Sequence, residues 1–457
     1  MVDPDDDVVE LRLPDPVHLV LRTLAAAGHE AVLVGGVVRD QLLGHTRADM
    51  DWDAATSAEP AAVAALFPSA TWENRFGTVT VRGLPPVEVT SYRTESEYAD
   101  ARRPDEVRFG ASLVEDLGRR DFTINAMAWL PVDLAAGRGR IVDPHGGRAD
   151  LASGVLRTVG DPVLRFTEDA LRLVRAARFA ARLDLTIDPA TEAAIVALAP
   201  RVASVSGERV REELLSILDL DTPSRAFRLL ERLGLLAVIL PELAALRGVP
   251  QAKAVPGDAL DHSLAAVDAV PATAPADTRL AVLLHDLGKA TTLADGHFIG
   301  HETVGAALAG EVLARLHLGR SRSERITNAI RQHMYHYDAT WSDAAVRRLV
   351  RRLAHTDRDL LFALRRADDA ASGTSAAGGP VQTELEDRIA GELERQPVLL
   401  LERRLAIDGH DLQRELGLPP GPEIGRLMER LLDAAIDDPS INDRAALIAR
   451  ARALAGR

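Results

Sequence analysis

The sequence predicts a small α/β head followed by a mostly α-helical body, and three patterns predict it. Short β-branched runs fill the first 150 residues, apolar spacing becomes helical from about residue 162, and a glycine pair parts the first apolar run from a helical stretch. At 457 residues the chain is too long for one compact core and holds about three domains at roughly 150 residues each.

The elements follow in order. Ala31–Val34 is a short apolar run, then Gly35-Gly36, then a helical stretch over 37–43. Thr78–Val81 and 87–90 are β-branched runs split by Gly83 and Pro85-Pro86, the pattern of a hairpin. Ile141-Val142 is a further strand candidate, ended by Asp143-Pro144. Beyond it, Leu164, Leu171, Val174, Ala177, Phe179 and Leu183 recur at helical spacing. The segments 208–218, 224–236, 343–354, 384–394 and 424–436 repeat that spacing, and loops rich in Pro, Gly and Ala fall at 248–258, 271–277 and 372–380.

Composition excludes several chemistries. Cysteine is absent, so disulfides, thiolate zinc sites and cysteine nucleophiles are ruled out. With 9 Phe, 4 Trp and 4 Tyr, stacking of bases on an aromatic sheet is not the expected mode of binding. No apolar run approaches the roughly 18 residues that span a bilayer, and the acidic start is unlike a signal peptide, so no membrane and a cytoplasmic location are expected. The net charge of −14 supplies no global field for nucleic acid. Lysine occurs only at 253 and 289, so arginine carries nearly all the positive charge. Arginine suits bidentate phosphate contacts, but a GC-rich codon bias explains the same excess. Composition therefore neither supports nor excludes an RNA partner.

Two clusters carry chemistry in the head. Gly35-Gly36 between strand and helix lets backbone N–H groups approach phosphate oxygens. Asp49-Met50-Asp51-Trp52-Asp53 places carboxylates at alternate positions, which on a strand share one face. Like charges so placed repel unless a cation sits among them, as in two-metal phosphoryl transfer, and Glu88 is a candidate third carboxylate. A solvated acidic loop is the alternative.

At these residues the sequence resembles class II tRNA nucleotidyltransferases and bacterial poly(A) polymerases. The resemblance runs through 35–44, the Asp-x-Asp and Ala55-Thr56-Ser57-Ala58, and then Arg119-Arg120-Asp121-Phe122-Thr123-Ile124-Asn125-Ala126. It implies a polymerase-β-like mixed sheet in the head, with Mg²⁺ held by Asp51 and Asp53. Counting from Leu42-Leu43-Gly44 instead selects Asp49 and Asp51. Gly35, Gly36, Arg39, Arg119, Arg120, Asp121 and Asn125 would bind the nucleotide, with two adjacent arginines suited to a triphosphate. The stretch 92–109 resembles the family's flexible loop.

The segment Thr167-Glu168-Asp169-Ala170-Leu171-Arg172 is expected to be helical, with Thr167 as a plausible N-cap and Asp169 and Arg172 on one face. A carboxylate and a guanidinium together imitate a base-pair edge. In the family this Glu-Asp-x-x-Arg helix reads CTP or ATP, with Arg175 and Arg178 further along. Residues 207–214 resemble the family's last helical motif, which is expected to be mainly structural.

In the body, His285-Asp286 lies on an apolar segment, with His262 upstream and His301, His333 and Asp368 downstream. A single buried His-Asp hydrogen bond is the plainer reading of any one pair. Imidazoles and carboxylates spread over several helices suit Ni²⁺, Mn²⁺, Mg²⁺ or Fe. The ordered set resembles the HD phosphohydrolase superfamily, whose quartet would be His262, His285, Asp286 and Asp368, with Asp369 competing for the last place. His301 and His333 hint at a wider site. The resemblance implies domains at 15–150 (nucleotidyltransferase head), 151–245 (helical neck for RNA and nucleotide), 255–375 (HD domain) and 384–457 (helical tail). It implies a CCA-adding enzyme that takes CTP, ATP and the tRNA acceptor arm, with hydrolysis of cyclic 2′,3′-phosphates at the HD site. A poly(A) polymerase, or an enzyme adding only CC or only A, is the alternative. An HD-linked signalling nucleotidyltransferase is more remote, and a silent RNA-binding protein would have to explain the carboxylates.

Overall fold

A mixed sheet builds the head, and its one parallel pair sets the site. The computed structural model describes residues 8–45, 50–73, 77–96, 106–251, 256–373 and 379–455. The strands are β1 (Val8–Glu10), β2 (Ala31–Val34), β3 (Trp52–Thr56), β4 (Thr71–Glu73), β5 (Thr78–Val81), β6 (Val87–Ser91), β7 (Arg93–Ser96), β8 (Glu106–Phe109), β9 (Ala128–Asp133) and β10 (Arg138–Val142). Eight of them form one sheet in the order β1-β10-β9-β2-β3-β6-β5-β4. All neighbours are antiparallel except β3 and β6, which run parallel with Asp53 opposite Glu88. The expected hairpin is β5–β6, in register from Thr78 opposite Thr90 to Val81 opposite Val87. β7 and β8 pair as a separate ribbon; residues 97–105, the centre of the loop expected over 92–109, lie outside the described residues.

Alternation along the strands separates core from site. Trp52, Ala54, Val79, Val81, Val87 and Val89 point into one core with the helices Asp15–Ala26 and Pro60–Leu66. Ala55 points to the opposite face, packed with Val32, Val34, Tyr92 and Leu117. Asp53, two residues before Ala55, shares that second face.

The chain divides into two compact units, Met1–Ile217 with Arg225–Ile239, and Leu218–Ser224 with Leu240–Arg457. Beyond the head the first unit is helical apart from a short parallel pair, Val155–Leu156 with Thr186–Ile187. The helix expected across 167–179 is broken: Pro162–Glu168 ends, Asp169 is extended at φ −147° and ψ 105°, and Leu171–Leu183 begins after Ala170. Thr167 therefore lies in the last turn of the first helix, and Asp161 caps that helix by accepting from the Val163 and Leu164 amides. The helix expected over 224–236 also ends early, at Arg232, before Gly234 with its φ of +74°.

Among its described residues, the named elements of the second unit are all helices. Asp258 opens Ala259–Asp268 with a capping box to Asp261. Ala276–Leu284 and Arg358–Ser372 pack against it, Arg320–Gln332 packs against both of these and against His301–Arg315, and Pro380–Arg395, Gly409–Leu416, Pro422–Asp437 and Arg444–Leu454 follow. No helix among the described residues is long and apolar enough to cross a membrane.

Candidate nucleotidyltransferase and metal sites

In the head, three expected features meet at Gly35. Its φ of +74° is a left-handed conformation that glycine adopts without strain. A Cβ there would lie 2.8 Å from Nη1 of Arg120 and 3.8 Å from Oδ2 of Asp53. The glycine turn, one arginine of the Arg-Arg pair and one carboxylate of the Asp-x-Asp thus face one spot. Glu88 joins them through its pairing with Asp53 across the parallel strands. Asp51 is exposed just before β3, and Asp49 lies outside the described residues. Burial, with Glu88 and Asp51 adding to it and Arg120 opposing, pushes the Asp53 carboxyl up to about 6. Crowded carboxylates of this kind fit a divalent cation, which prefers several hard oxygen ligands.

Other expected nucleotide ligands are engaged within the protein. Arg39 is 2 % exposed; its Nε donates to Asp40 at 2.7 Å and its Nη1 donates to Asn125. The Asp121 carboxylate accepts from the Phe122 amide at 2.8 Å, Asn125 Nδ2 at 3.0 Å and Arg175 Nε at 2.9 Å. Burial opposes its ionisation, but Arg175 and these hydrogen bonds outweigh it and hold Asp121 down to about 2. Arg119 donates twice to the buried Asp116, at 3.0 and 2.8 Å, and Arg120 stands 3.5 Å from the same carboxylate. Arg39, Asp121 and Asn125 therefore hold the shape of the turn, while Arg120 is the arginine at its mouth.

Asp169 and Arg172 come from different local structures rather than from one helical face. Asp169 sits in the break between helices, where Oδ1 accepts from the Leu171 amide at 3.1 Å. Arg209 grips both its oxygens, at 3.1 and 2.7 Å. Arg172 donates to the carbonyls of Arg165 and Arg119, at 3.0 and 3.1 Å, and to Glu168 at 2.6 Å. Glu213 pairs with Arg175 at 3.3 Å and Arg178 at 2.6 Å, and Arg39, Arg175 and Arg178 all lie within 5.2 Å of the Phe179 ring centre. The motif at 207–214, expected to be mainly structural, thus contributes Arg209 and Glu213 to these side chains. Its mixture of acids and arginines was the signal, but partners 35 to 40 residues away are not legible from spacing.

The second unit gathers its histidines on Asp286. His285 and Asp286 follow the helix Ala276–Leu284, and His262 and Asp368 come from Ala259–Asp268 and Arg358–Ser372. His262 Nε2 lies 3.0 Å from Asp368 Oδ1 and 3.6 Å from Asp286 Oδ2; His285 Nε2 lies 3.1 Å from that Asp286 oxygen. Asp369 instead pairs with Arg365 at 3.1 Å, which leaves Asp368 as the carboxylate beside the histidines. Gly288 permits the assembly: a Cβ there would fall 2.2 Å from the His301 carbonyl and 2.7 Å from the Gly305 amide. Lys289, whose role spacing does not reveal, donates to Asp286 Oδ2 at 2.6 Å.

The histidine tautomers follow from their partners. Nδ1 of His285, His301 and His333 lies 2.7, 2.7 and 2.6 Å from the carbonyls of Val282, Phe298 and Ile330. A carbonyl only accepts, so each Nδ1 donates and each Nε2 is left to present a lone pair inward. Those three Nε2 atoms are buried and make no hydrogen bond among the described residues. Burial works against charge on His285, though Asp286 outweighs it and raises its pKa; burial pushes His333 down to about 3. A proton on His285 satisfies one of the three nitrogens, whereas a metal ligated by imidazole suits them all.

Comparison with known proteins agrees with this layout. The family model of the poly A polymerase head domain matches residues 31–157, that of the probable RNA- and SrmB-binding site of polymerase A matches 184–246, and the HD domain matches 259–371. The A-adding tRNA nucleotidyltransferase of Deinococcus radiodurans is 35% identical over 420 residues, covering 88% of this chain and 91% of the relative. The CCA-adding enzyme of Geobacillus stearothermophilus is 41% identical over 272 residues, 59% of this chain and 62% of the relative. The crystal structure of the Bacillus stearothermophilus CCA-adding enzyme with CTP superposes at a TM-score of 0.70 and 28% identity, covering 97% of this chain and 100% of that one. Such likeness over nearly the whole chain establishes that it belongs to the tRNA nucleotidyltransferase and poly(A) polymerase family, with an HD domain in its body.

Proposed function

We propose that this protein adds CMP, CMP and AMP to the tRNA 3′ end in the cytoplasm, selecting CTP and ATP with its own side chains. The observation that carries the reading is the Asp53–Glu88 pair on parallel strands, set against the Gly35 turn and Arg120. Asp51 and Asp53, with Glu88 beside them, would hold Mg²⁺, which when bound supplies charge neutralisation at the reacting phosphate. The terminal 3′-hydroxyl of the tRNA loses its proton to water as its oxygen bonds to the α-phosphorus, the bond to the bridging oxygen of the β-phosphate breaks, and pyrophosphate leaves. Arg120 and the amides of the glycine turn would orient the triphosphate. Asp121, Asn125 and Arg39 keep that turn in place, with Arg175 and Arg178 tying it to the neck. Asp169 would accept from the amino group of cytosine or adenine while Arg172 donates beside it.

The second reading is addition of A alone, favoured by the A-adding relative that aligns over nearly the full chain. Acceptor arms ending at the discriminator base, at C and at CC, each incubated with one labelled nucleotide, separate the two. The expected outcome is CMP on the first two and AMP on the third. AMP on the CC end with no CMP on the others makes this the A-adding enzyme.

The same proposal gives the HD site a bound metal, Ni²⁺ or Mn²⁺, held by His262, His285, Asp286 and Asp368 and acting on cyclic 2′,3′-phosphates. Asp286→Ala should remove bound transition metal and any such hydrolysis, while addition of nucleotides persists because its residues lie in the other unit. A native protein with no transition metal and no hydrolysis would reduce this cluster to scaffold.

A further inference from the structure

Resting on the nucleotidyl-transfer reading just given, we infer that Asp116 is a positioning residue for the triphosphate and acts through Arg120. Asp116 lies in the helix Leu113–Gly118, which Ser112 and Glu115 open with a reciprocal capping box. Arg119 and Arg120 stand three and four residues further on, the spacing that brings side chains to one helical face. The Asp116 carboxylate is 1 % exposed. A charge so buried needs an opposite charge beside it, and the two arginines supply it.

The two carboxylate oxygens are used unequally. Oδ1 accepts from Nε and Nη2 of Arg119, at 3.0 and 2.8 Å, and from the Arg93 amide at 3.4 Å, where β7 begins. Oδ2 is buried and makes no hydrogen bond among the described residues, and neither does Nε of Arg120. Nη2 of Arg120 stands 3.5 Å from that oxygen. A buried acceptor and a buried donor of opposite charge at this range need only a small turn of the guanidinium to pair. Nη1 of the same guanidinium faces the Gly35 turn, 2.8 Å from where a Cβ would lie. Arg119 thus fastens the carboxylate, and the carboxylate holds one side of Arg120 while the other side meets a phosphate oxygen. Holding the guanidinium beforehand spares the ordering entropy that a free long side chain loses on binding. The triphosphate is common to every nucleotide, so this tether acts on CTP and ATP alike and leaves the choice of base untouched.

The test reads binding apart from chemistry. Calorimetry on the full-length protein without tRNA measures the affinity for ATP with Mg²⁺ and for CTP with Mg²⁺, and steady-state addition is measured alongside. Asp116→Asn keeps the size of the side chain and removes its charge. It should weaken both nucleotides about tenfold, the loss of one charge-assisted tether, and raise both KM values alike while kcat and the CTP-to-UTP ratio change by less than about twofold. Arg120→Ala should weaken binding more, and adding Asp116→Asn to it should cost nothing further, since the two act as one unit. Full additivity of the two losses overturns the inference. So does an Asp116→Asn protein that melts lower yet binds ATP as the wild type does, because that is a structural role alone. A wild type that binds ATP but adds no nucleotide overturns the transfer reading and leaves the tether standing; one that binds no ATP overturns both. If Asp116→Asn does not fold, a crystal structure of the wild type with ATP decides. Arg120 bonded to both Asp116 Oδ2 and a phosphate oxygen supports the inference, and Arg120 turned away from Asp116 refutes it.

Discussion

Asp53→Ala should lower nucleotide addition by ~10³-fold or more, since neutralising charge on a transferring phosphoryl group accounts for several kcal/mol of transition-state stabilisation. The companion substitution Asp53→Asn tests whether the effect is chemical. Burial and the neighbouring Glu88 and Asp51 carboxylates push Asp53 up to about 6 against the pull of Arg120. A carboxyl whose pKa is raised in the folded state destabilises that state when ionised, so above pH 6 the fold bears a cost that the amide removes. Asp53→Asn should therefore melt at the same temperature as the wild type, or higher, in the absence of divalent metal, while activity is lost. A purely structural Asp53 would give the reverse, with stability falling and activity following only in proportion. The partner residue settles the register. Asp51→Ala should match Asp53→Ala in severity and Asp49→Ala should be mild. If Asp49→Ala is as severe as Asp51→Ala while Asp53→Ala is tolerated, the carboxylate pair is Asp49 and Asp51.

Local patterns were legible in this sequence where the responsible forces are local. β-branched alternation located β5 and β6, because burial of every second residue is what makes such a strand. The glycine pair marked the turn at Gly35, because its positive φ is one that few other residues adopt. Helical periodicity located most of the body but overran two breaks, at Asp169 and at Gly234. Apolar spacing continues through both, so periodicity alone does not register that the axis stops and restarts. Glu88 was a candidate from its strand alone, but the pairing that puts it beside Asp53 was not legible. The parallel alignment of β3 with β6 places Glu88 beside Asp53, and neither strand's own pattern encodes its neighbour. Packing likewise distinguishes Asp368 from Asp369: the first stands beside His262 and the second pairs with Arg365 along its own helix. Arg209 was hidden for the same reason, since it reaches its partner across 40 residues.

That partner is the subject of the most diagnostic substitution. Asp169→Ala should raise incorporation of UTP relative to CTP about thirtyfold, the effect of removing one charge-assisted hydrogen bond worth about 2 kcal/mol. Uracil places no amino donor where cytosine does, so the intact carboxylate meets it with an unpaired acceptor. GTP should gain against ATP for the same reason. Arg172→Ala should instead weaken CTP and ATP together, because both offer an acceptor beside the amino group. The structure also supplies a competing role: Asp169 Oδ1 accepts from the Leu171 amide and both its oxygens bind Arg209. If Asp169 serves only to start the helix Leu171–Leu183, then Asp169→Asn lowers stability by at most about 1 kcal/mol and leaves the ranking of the four nucleotides intact. Arg209→Ala distinguishes a carboxylate that reads the base from one that merely packs. A carboxylate has about four acceptor positions, and the Leu171 amide with the two Arg209 contacts takes three of them, leaving one for a base amino group. If Asp169 reads the base, Arg209 would aim the remaining lone pair. Its removal should erode discrimination between CTP and UTP in the same direction as Asp169→Ala but by less, with kcat for the correct nucleotide falling more than its KM rises. An unchanged ratio of CTP to UTP in Asp169→Ala would end the templating account and return the choice of nucleotide to the shape of the pocket.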